Sequence, residues 1–379
     1  MGNKTRQRKN DQVDKHKNIY DLSEDIMIKI LSLVSGKTLQ NLRCICKWWN
    51  KIISENKLIA RNTLPFQPIL LVQSKQSWKN KVLELDEKRL EVKLKNTNKF
   101  PAGKIRSSCN NFILHNNPND IKGLLLTNAV TKFQVSLPHC PSDCPHRACG
   151  VALGFNPIEK NYTVVHIYAD GFGLEIFNVG CSENKWKRIR GPIRERIQGE
   201  GDMFYWSDPI STKEQTLFYW HAGSNNHVIS FNICDEKWRR IGLPGGESIY
   251  RRKYSLLEMG GDLCLMHKVS KSEFDIWILK DHEGQVWSKK LSVSSSMVDY
   301  LLRDPGNDRR NVLPDFDKLV PVVSLRSGEI IIFQHRTTSC GYVYDTKGMA
   351  FNKFNGLHKK EDYKFLIHES YSYTRSWIE

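Results

Sequence analysis

Four stretches of the sequence repeat one design: NYTVVHIYADGFGLEIFNV (161–179), TLFYWHAGSNNHVISFNI (216–233), GDLCLMHKVSKSEFDIWIL (261–279) and GEIIIFQHRTTSCGYVYDT (328–346). Each reads as a strand rich in β-branched and aromatic residues, a turn built on Gly, Asn or Ser, and a second such strand. Each then runs into a further aromatic, at Trp186, Trp238, Trp287 and Phe351. An apolar residue follows three or four places on, at Ile189, Ile241, Leu291 and Phe354. From Phe177 to Phe231 to Trp277 to Tyr344 the steps are 54, 46 and 67 residues. The last step is lengthened by a polar, proline-bearing insertion, SVSSSMVDYLLRDPGNDRRNVLPDFDK.

A strand-rich repeat of about fifty residues points to a β-propeller of the kelch kind. One four-stranded sheet cannot bury both its faces, so neighbouring copies must stack around an axis. The recurrent aromatics are then packing residues between sheets rather than ligand cages. Residues 65–119, in which VLELDEKRLEVKL reads as a hairpin, are expected to supply the first blade or a connecting region. Residues 120–357 form the bulk of the propeller, and 358–379 are a candidate for the segment that closes it.

Before residue 64 the periodicity is helical. Ile26, Met27, Ile30, Leu31, Leu33 and Val34 recur at three- and four-residue steps, Ser23 stands as N-cap, and Glu24 and Asp25 fall where the helix dipole favours acids. SGK interrupts the pattern, and Thr38 can cap a second helix carrying Leu39, Leu42, Ile45, Cys46, Trp49, Ile52 and Ile53 along one wide face. On that helix Cys44 and Cys46 diverge and cannot chelate or bridge, so Cys46 reads as a small buried hydrophobe. Roughly forty helical residues sit at the lower limit of independent folding. This head also carries apolar residues on more than one side. They pack either against the downstream body or against helices of another protein.

The stretch IYDLSEDIMIKILSLVSGKTLQNLRCICKWWNKIISENKLIARNTL, residues 19–64, resembles an F-box, the helical module that docks onto a Skp-type adaptor in cullin–RING ubiquitin ligases. Leu22, Asp25, Ile30, Leu31, Leu33, Lys37, Leu39, the run Arg43–Lys47, Trp49, Ile53 and Ser54 match its pattern. Ser23 and Val34 stand where the family usually has proline. A proline there would lower the entropy lost on ordering, so their presence weakens the adaptor surface without removing it. The resemblance implies adaptor contacts from Leu22, Ser23, Ile26, Ile30, Leu33, Val34, Leu39, Leu42 and Trp49, some of which must serve the module's own core. The body resembles the plant-type F-box-associated domain over roughly 120–357, through GLLLTN, LGFNPIEKNYTVVHI, EIFNVGCSENKWKRI, VISFNICDEKWRRIGLP, LEMGGDLCLM, FDIWILKD and PVVSLRSGEIIIF. These strings mark framework positions and carry over no ligand-contacting residue.

With 57 Lys and Arg against 41 Asp and Glu the formal charge is +16, so an anionic partner is attracted over distance. The positive residues are dispersed rather than aligned in a groove-tracking stripe, which makes nucleic acid the lesser expectation and a protein target with an acidic surface the greater. Residues 1–18 read as a disordered basic tail. The amino terminus has no apolar core to act as a secretory signal, and Arg6 occupies the place a myristoylation site needs filled by Ser or Thr. No apolar run approaches the ~20 residues needed to cross a bilayer. The expectation is an intracellular protein, cytoplasmic or nuclear, whose ten cysteines are thiols.

Catalytic signatures are absent: there is no G-x-x-x-x-G-K-[ST], no H-E-x-x-H and no G-x-S-x-G. HCPSDCPHRAC (139–149) gathers five soft donors, His139, Cys140, Cys144, His146 and Cys149. The spacing is looser than paired C-x-x-C, no second Cys pair lies downstream, and two prolines suit an exposed connection, so the sequence assigns no metal and no cofactor. The reading is an α+β multidomain chain: a small three-helix F-box followed by an all-β, kelch-like propeller. It would be a non-catalytic substrate receptor that joins adaptor, cullin and RING subunits to a target protein. Two alternatives stay open, a propeller interaction module without ligase assembly and a basic nucleic-acid-binding protein.

Overall fold

The computed structural model describes residues 22–34, 39, 42–55 and 58, and residues 69–368 apart from 87–90, 98–102, 111, 130–132, 143–145, 147–148, 169–172, 182–184, 191–205, 213–214, 222–223, 247–248, 250–252, 298–313, 326–327, 339 and 358–362. The expected basic tail, Thr38, Cys144 and most of the insertion at 292–318 lie outside the described residues. The chain forms two compact units, 1–64 and 65–379.

In the first unit, α1 spans Glu24–Ser32 and α2 spans Lys47–Glu55, and the two pack on each other. Ser23 caps α1 as its sequence suggests: its backbone is extended, its hydroxyl accepts the Ile26 N–H at 3.4 Å, and Glu24 and Asp25 fill the first turn. The continuous second helix expected from Thr38 to Ile53 is not what forms. Arg43–Ile45 make a turn, and α2 begins only after Cys46, whose Sγ accepts the Trp49 N–H at 3.5 Å. Cys46 is therefore a half-buried cap rather than a buried core residue, and Ile45 is left 64% exposed. Among the described residues the unit shows these two helices, with Leu39, Leu42 and Leu58 in helical positions outside them.

The second unit is built from six four-stranded antiparallel sheets. Sheet 1 holds β1 (Ile69–Ser74), β2 (Asn80–Asp86), β3 (Glu91–Thr97) and the last strand, β24 (Tyr363–His368). Sheet 2 holds β4 (Ile105–Cys109), β5 (Phe112–Asn116), β6 (Leu124–Asn128) and β7 (Gln134–Ser136). Sheet 3 holds β8 (Gly150–Asn156), β9 (Asn161–Ile167), β10 (Leu174–Val179) and β11 (Trp186–Ile189). Sheet 4 holds β12 (Ile210–Ser211), β13 (Leu217–His221), β14 (His227–Asn232) and β15 (Lys237–Gly242). Sheet 5 holds β16 (Tyr254–Met259), β17 (Asp262–Lys268), β18 (Glu273–Asp281) and β19 (Val286–Ser294). Sheet 6 holds β20 (Leu319–Leu325), β21 (Ile330–His335), β22 (Cys340–Asp345) and β23 (Ala350–Asn355).

The four repeated stretches are the central hairpins of sheets 3 to 6, and VLELDEKRLEVKL forms the β2–β3 hairpin with Leu83 opposite Leu94. Sheet 2 straddles residue 119, so residues 65–119 hold the three leading strands of sheet 1 and the first two of sheet 2 rather than a single blade. The recurrent aromatics meet across strands: Phe177 faces Trp186, Phe231 faces Trp238 and Tyr344 faces Phe351. In sheet 5 the register shifts in the longer β18, and Trp287 faces Leu279 instead.

Apolar cores lie between consecutive sheets. Leu71 and Val82 meet Ile105 and Ile113 between sheets 1 and 2. Leu126 meets Val164 and Phe177 between 2 and 3. Trp220 and Phe231 bury against Ile167 and Ile176, and Leu265 against Val228 and Ile241. Phe274 meets Phe333 between 5 and 6, and Ile332 and Val343 meet Leu70 and Val72, which brings sheet 6 back to sheet 1. The ring is thus closed by packing, and by hydrogen bonding too, since β24 pairs with β1 from Ile69↔His368 to Ser74↔Tyr363. Among the described residues every pair of neighbouring sheets, sheets 6 and 1 included, encloses an apolar core.

Candidate functional site

Helix α1 divides its apolar residues between two directions. Met27 and Leu31 are buried, as are Leu39, Ile52, Ile53 and Leu58. Leu22, Ile26, Ile30 and Leu33 are 38%, 47%, 42% and 68% exposed. Ile26 and Ile30 lie one turn apart on the same side of α1, Leu33 is its C-cap residue, and Leu22 precedes the N-cap Ser23. Ser23 is exposed too, while Val34, Leu42 and Trp49 are half-buried. Leu39, expected among the contact residues, is completely buried and has no surface to offer a partner. Four branched apolar side chains on, and immediately flanking, one short helix are thus exposed.

On the propeller, a cavity of about 390 Å³ opens between sheets 5 and 6. Lys253, Lys268, Lys271 and Arg336 contribute its cationic lining, and Asp317 binds Lys268 at 2.9 Å.

The donor-rich stretch 139–149 is split by the structure. His139 turns outward and binds Asp120 at 2.6 Å. Cys140, His146 and Cys149 turn inward and are buried. His146 lies between two sulfurs, with Nε2 3.8 Å from Cys140 and Nδ1 3.3 Å from Cys149. A residue that local spacing does not reveal completes the cluster. His166 on β9 packs edge-on against the His146 ring at 4.8 Å, and ligand atoms of Cys140, His146 and His166 all lie within 4.8 Å of one another. Glu175, directly opposite His166 in the β9–β10 pairing, is wholly buried and accepts from His166 Nδ1 at 3.2 Å, Tyr168 OH at 2.6 Å and Ser142 Oγ at 3.1 Å. Burial alone would raise the Cys140 thiol, but hydrogen bonds from His146, His166 and Ser142 outweigh it and bring the pKa down to about 5. The nine described cysteines are all free thiols.

A closed ring of six sheets in one unit, and a second unit with exposed apolar residues at α1, define a β-propeller protein with an amino-terminal helical module. Residues 61–365 match the F-box associated beta propeller domain and residues 19–61 the F-box domain, so the chain belongs to the F-box-associated β-propeller family. The role known for such proteins is substrate reception in Skp–cullin–F-box (SCF) ubiquitin ligases. Two relatives from Arabidopsis thaliana illustrate the likeness. The F-box protein At3g07870 is 23% identical over 72% of this chain and 73% of its own length. The putative F-box protein At5g50220 is 22% identical over 91% of this chain and 86% of its own. Among solved structures, one from a nidogen/laminin complex aligns with a TM-score of 0.45 at 10% identity, covering 80% of this chain and 99% of that chain.

Proposed function

We propose that this chain is a substrate-recognition subunit of an SCF-type ubiquitin ligase, and that α1 is where it holds the adaptor. The observation that carries the reading is the exposure of Leu22, Ile26, Ile30 and Leu33 on and beside α1. Val34, Leu42 and Trp49 flank the contact, Ser23 fixes the start of the helix, and Leu39 supports it from inside. The propeller holds the target, whose ubiquitination commits it to proteasomal degradation, and transfer chemistry belongs to the conjugating enzyme recruited by the RING subunit. This chain supplies proximity, converting a dilute encounter into one at high effective concentration. The ligase role places it inside the cell.

The cationic lining of the cavity between sheets 5 and 6, together with the net charge of +16, favours a target with an acidic surface. Target binding is then expected to weaken as salt rises; tightening with salt overturns the acidic assignment.

Co-purification tests the ligase reading. The unaltered chain is expected to recover a Skp-type adaptor and cullin, and Leu22→Asp with Ile30→Asp to lose both while the propeller's thermal transition stays in place. Recovery of a folded, adaptor-free chain supports a bare interaction module instead. Steeply salt-dependent retention of RNA or DNA supports nucleic-acid binding.

A further inference from the structure

The cluster at the junction of sheets 2 and 3 concentrates four features that are individually costly. Two imidazoles, of His146 and His166, are buried almost completely beside the Cys140 thiol. A carboxylate, Glu175, is buried with them although β10 is otherwise apolar on that side at Phe177. His146 has a left-handed backbone, φ +51°, in a residue with no glycine-like freedom, a strain of about 1 kcal/mol or more that persists only where the surroundings impose it. Arg106, itself buried on β4, binds the carbonyl oxygens of His146 at 3.1 Å and of Cys149, which fixes the backbone that presents the histidine. Hydrophobic side chains of similar volume would fill this junction with none of these costs.

We propose that Cys140 Sγ, His146 Nε2 and His166 Nε2 bind a zinc ion. The donor types are those zinc takes, a thiolate and neutral imidazoles. A tetrahedral ion with bonds of about 2.0–2.3 Å needs donors roughly 3.3–3.7 Å apart. Cys140 and His146 stand at 3.8 Å and the widest separation is within 4.8 Å, so closure asks for about 1 Å of side-chain movement. Glu175 supplies what a ligating histidine requires on its far side. By bonding His166 Nδ1 at 3.2 Å it orients the ring and makes Nε2 the nitrogen that would ligate the ion. Tyr168 and Ser142 hold the same carboxylate in turn, and Gly173 gives the Tyr168 ring the room to lie there. Three protein ligands leave the fourth corner to water.

The placement gives the ion a structural role. Cys140 and His146 belong to the connection between β7 and β8, and His166 to β9. One ion would tie that connection to sheet 3 across the junction with sheet 2, independently of any adaptor or target.

The test uses the full chain, untagged or with a tag free of histidine, purified without chelator. Elemental analysis is expected to find about one zinc per chain, falling below about a tenth in Cys140→Ser and in His166→Asn and unchanged in Cys181→Ser, whose thiol is exposed elsewhere. Should the cluster variants fail to fold, cobalt added to the unaltered chain keeps the question open to decision: it is expected to give thiolate charge-transfer bands and the intense visible absorption of a tetrahedral site. Folded wild-type chain with less than about a tenth of a zinc and no cobalt spectrum overturns the proposal. Copper or iron in place of zinc overturns the choice of ion.

Discussion

The indole Nε1 of Trp238 donates a 2.9 Å hydrogen bond to the carbonyl oxygen of Arg190, one sheet away. The same bond recurs on either side: Trp186 donates to Pro138 at 2.8 Å and Trp287 to Gly242 at 2.7 Å. Each tryptophan sits on the outer strand of its sheet and reaches back to the end of the preceding one. The recurrent aromatic of the sequence therefore does two jobs, filling the core between sheets and bonding a carbonyl at or just beyond the last strand of the preceding sheet. Sheet 6 has Phe351 at the corresponding place, where the ring contacts Tyr344 at 4.4 Å and has no N–H to give.

These bonds can be separated from the packing. Trp287→Phe keeps most of the ring and removes the donor, so it is expected to cost about 1 kcal/mol in a denaturant titration. Trp287→Ala removes both and is expected to cost about 3–5 kcal/mol. Equal losses in the two variants would show that the hydrogen bond contributes nothing.

Neighbouring residues on α1 are expected to behave as opposites. Met27→Ala opens a cavity in a fully buried site and should cost about 2–5 kcal/mol of stability. Ile26→Ala, at 47% exposure, should leave stability within about 0.5 kcal/mol and weaken the adaptor by a factor of about 5 or more. Calorimetry of the chain beside titration with purified adaptor reads both. Loss of stability at Ile26 with unchanged adaptor affinity would remove this face from the docking role.

What the sequence made legible follows from how local each determinant is. Helix α1 was readable because its cap, its acidic first turn and its apolar spacing lie within ten consecutive residues. The central hairpins were readable because Gly, Asn and Ser turns separate runs of β-branched and aromatic residues. The break before α2 was hidden, because apolar residues continue at helical spacing through Arg43–Ile45 and only the capping sulfur of Cys46 reveals the restart. Closure by 358–379 was expected from its place in the chain, but the register of β24 on β1 joins residues nearly three hundred positions apart and has no local signature. The donor cluster was half legible: Cys140 and His146 announce themselves by proximity, whereas His166 and Glu175 meet only because β9 and β10 pair in that register. Strand alternation offered one signal, since it sets His166 on the side of Val164 and Glu175 on the side of Phe177, two charged or polar intrusions on an apolar face.

A second, half-buried electrostatic cluster makes a prediction about pH. Lys364 binds Asp208 at 3.1 Å and the carbonyl oxygens of Ile105 and Arg106 at 3.2 and 2.7 Å, with Lys104 nearby. Burial, and then the charge of Arg106, push the Lys104 ammonium from its ordinary 10.5 down to about 8. Burial would raise the Asp208 carboxyl, but Lys364, Lys104 and Arg106 hold it well below the usual carboxylate range. The two groups act in different windows. Lys104 releases its proton in the folded chain before it does in the unfolded one, so the unfolded state binds more protons between about 8 and 10.5, and stability rises with pH there. Asp208 contributes stability that is complete above its ordinary value and lost as pH falls through its depressed one. In a lysine-methyl NMR titration one resonance is expected to move near pH 8, and Asp208→Asn to shift it lower still, because the carboxylate helps hold that proton on. Lys104→Met should flatten the rise of the unfolding midpoint between about 8 and 10.5. If every lysine resonance titrates above about 10, Lys104 is solvated and the cluster does not exist in solution as described.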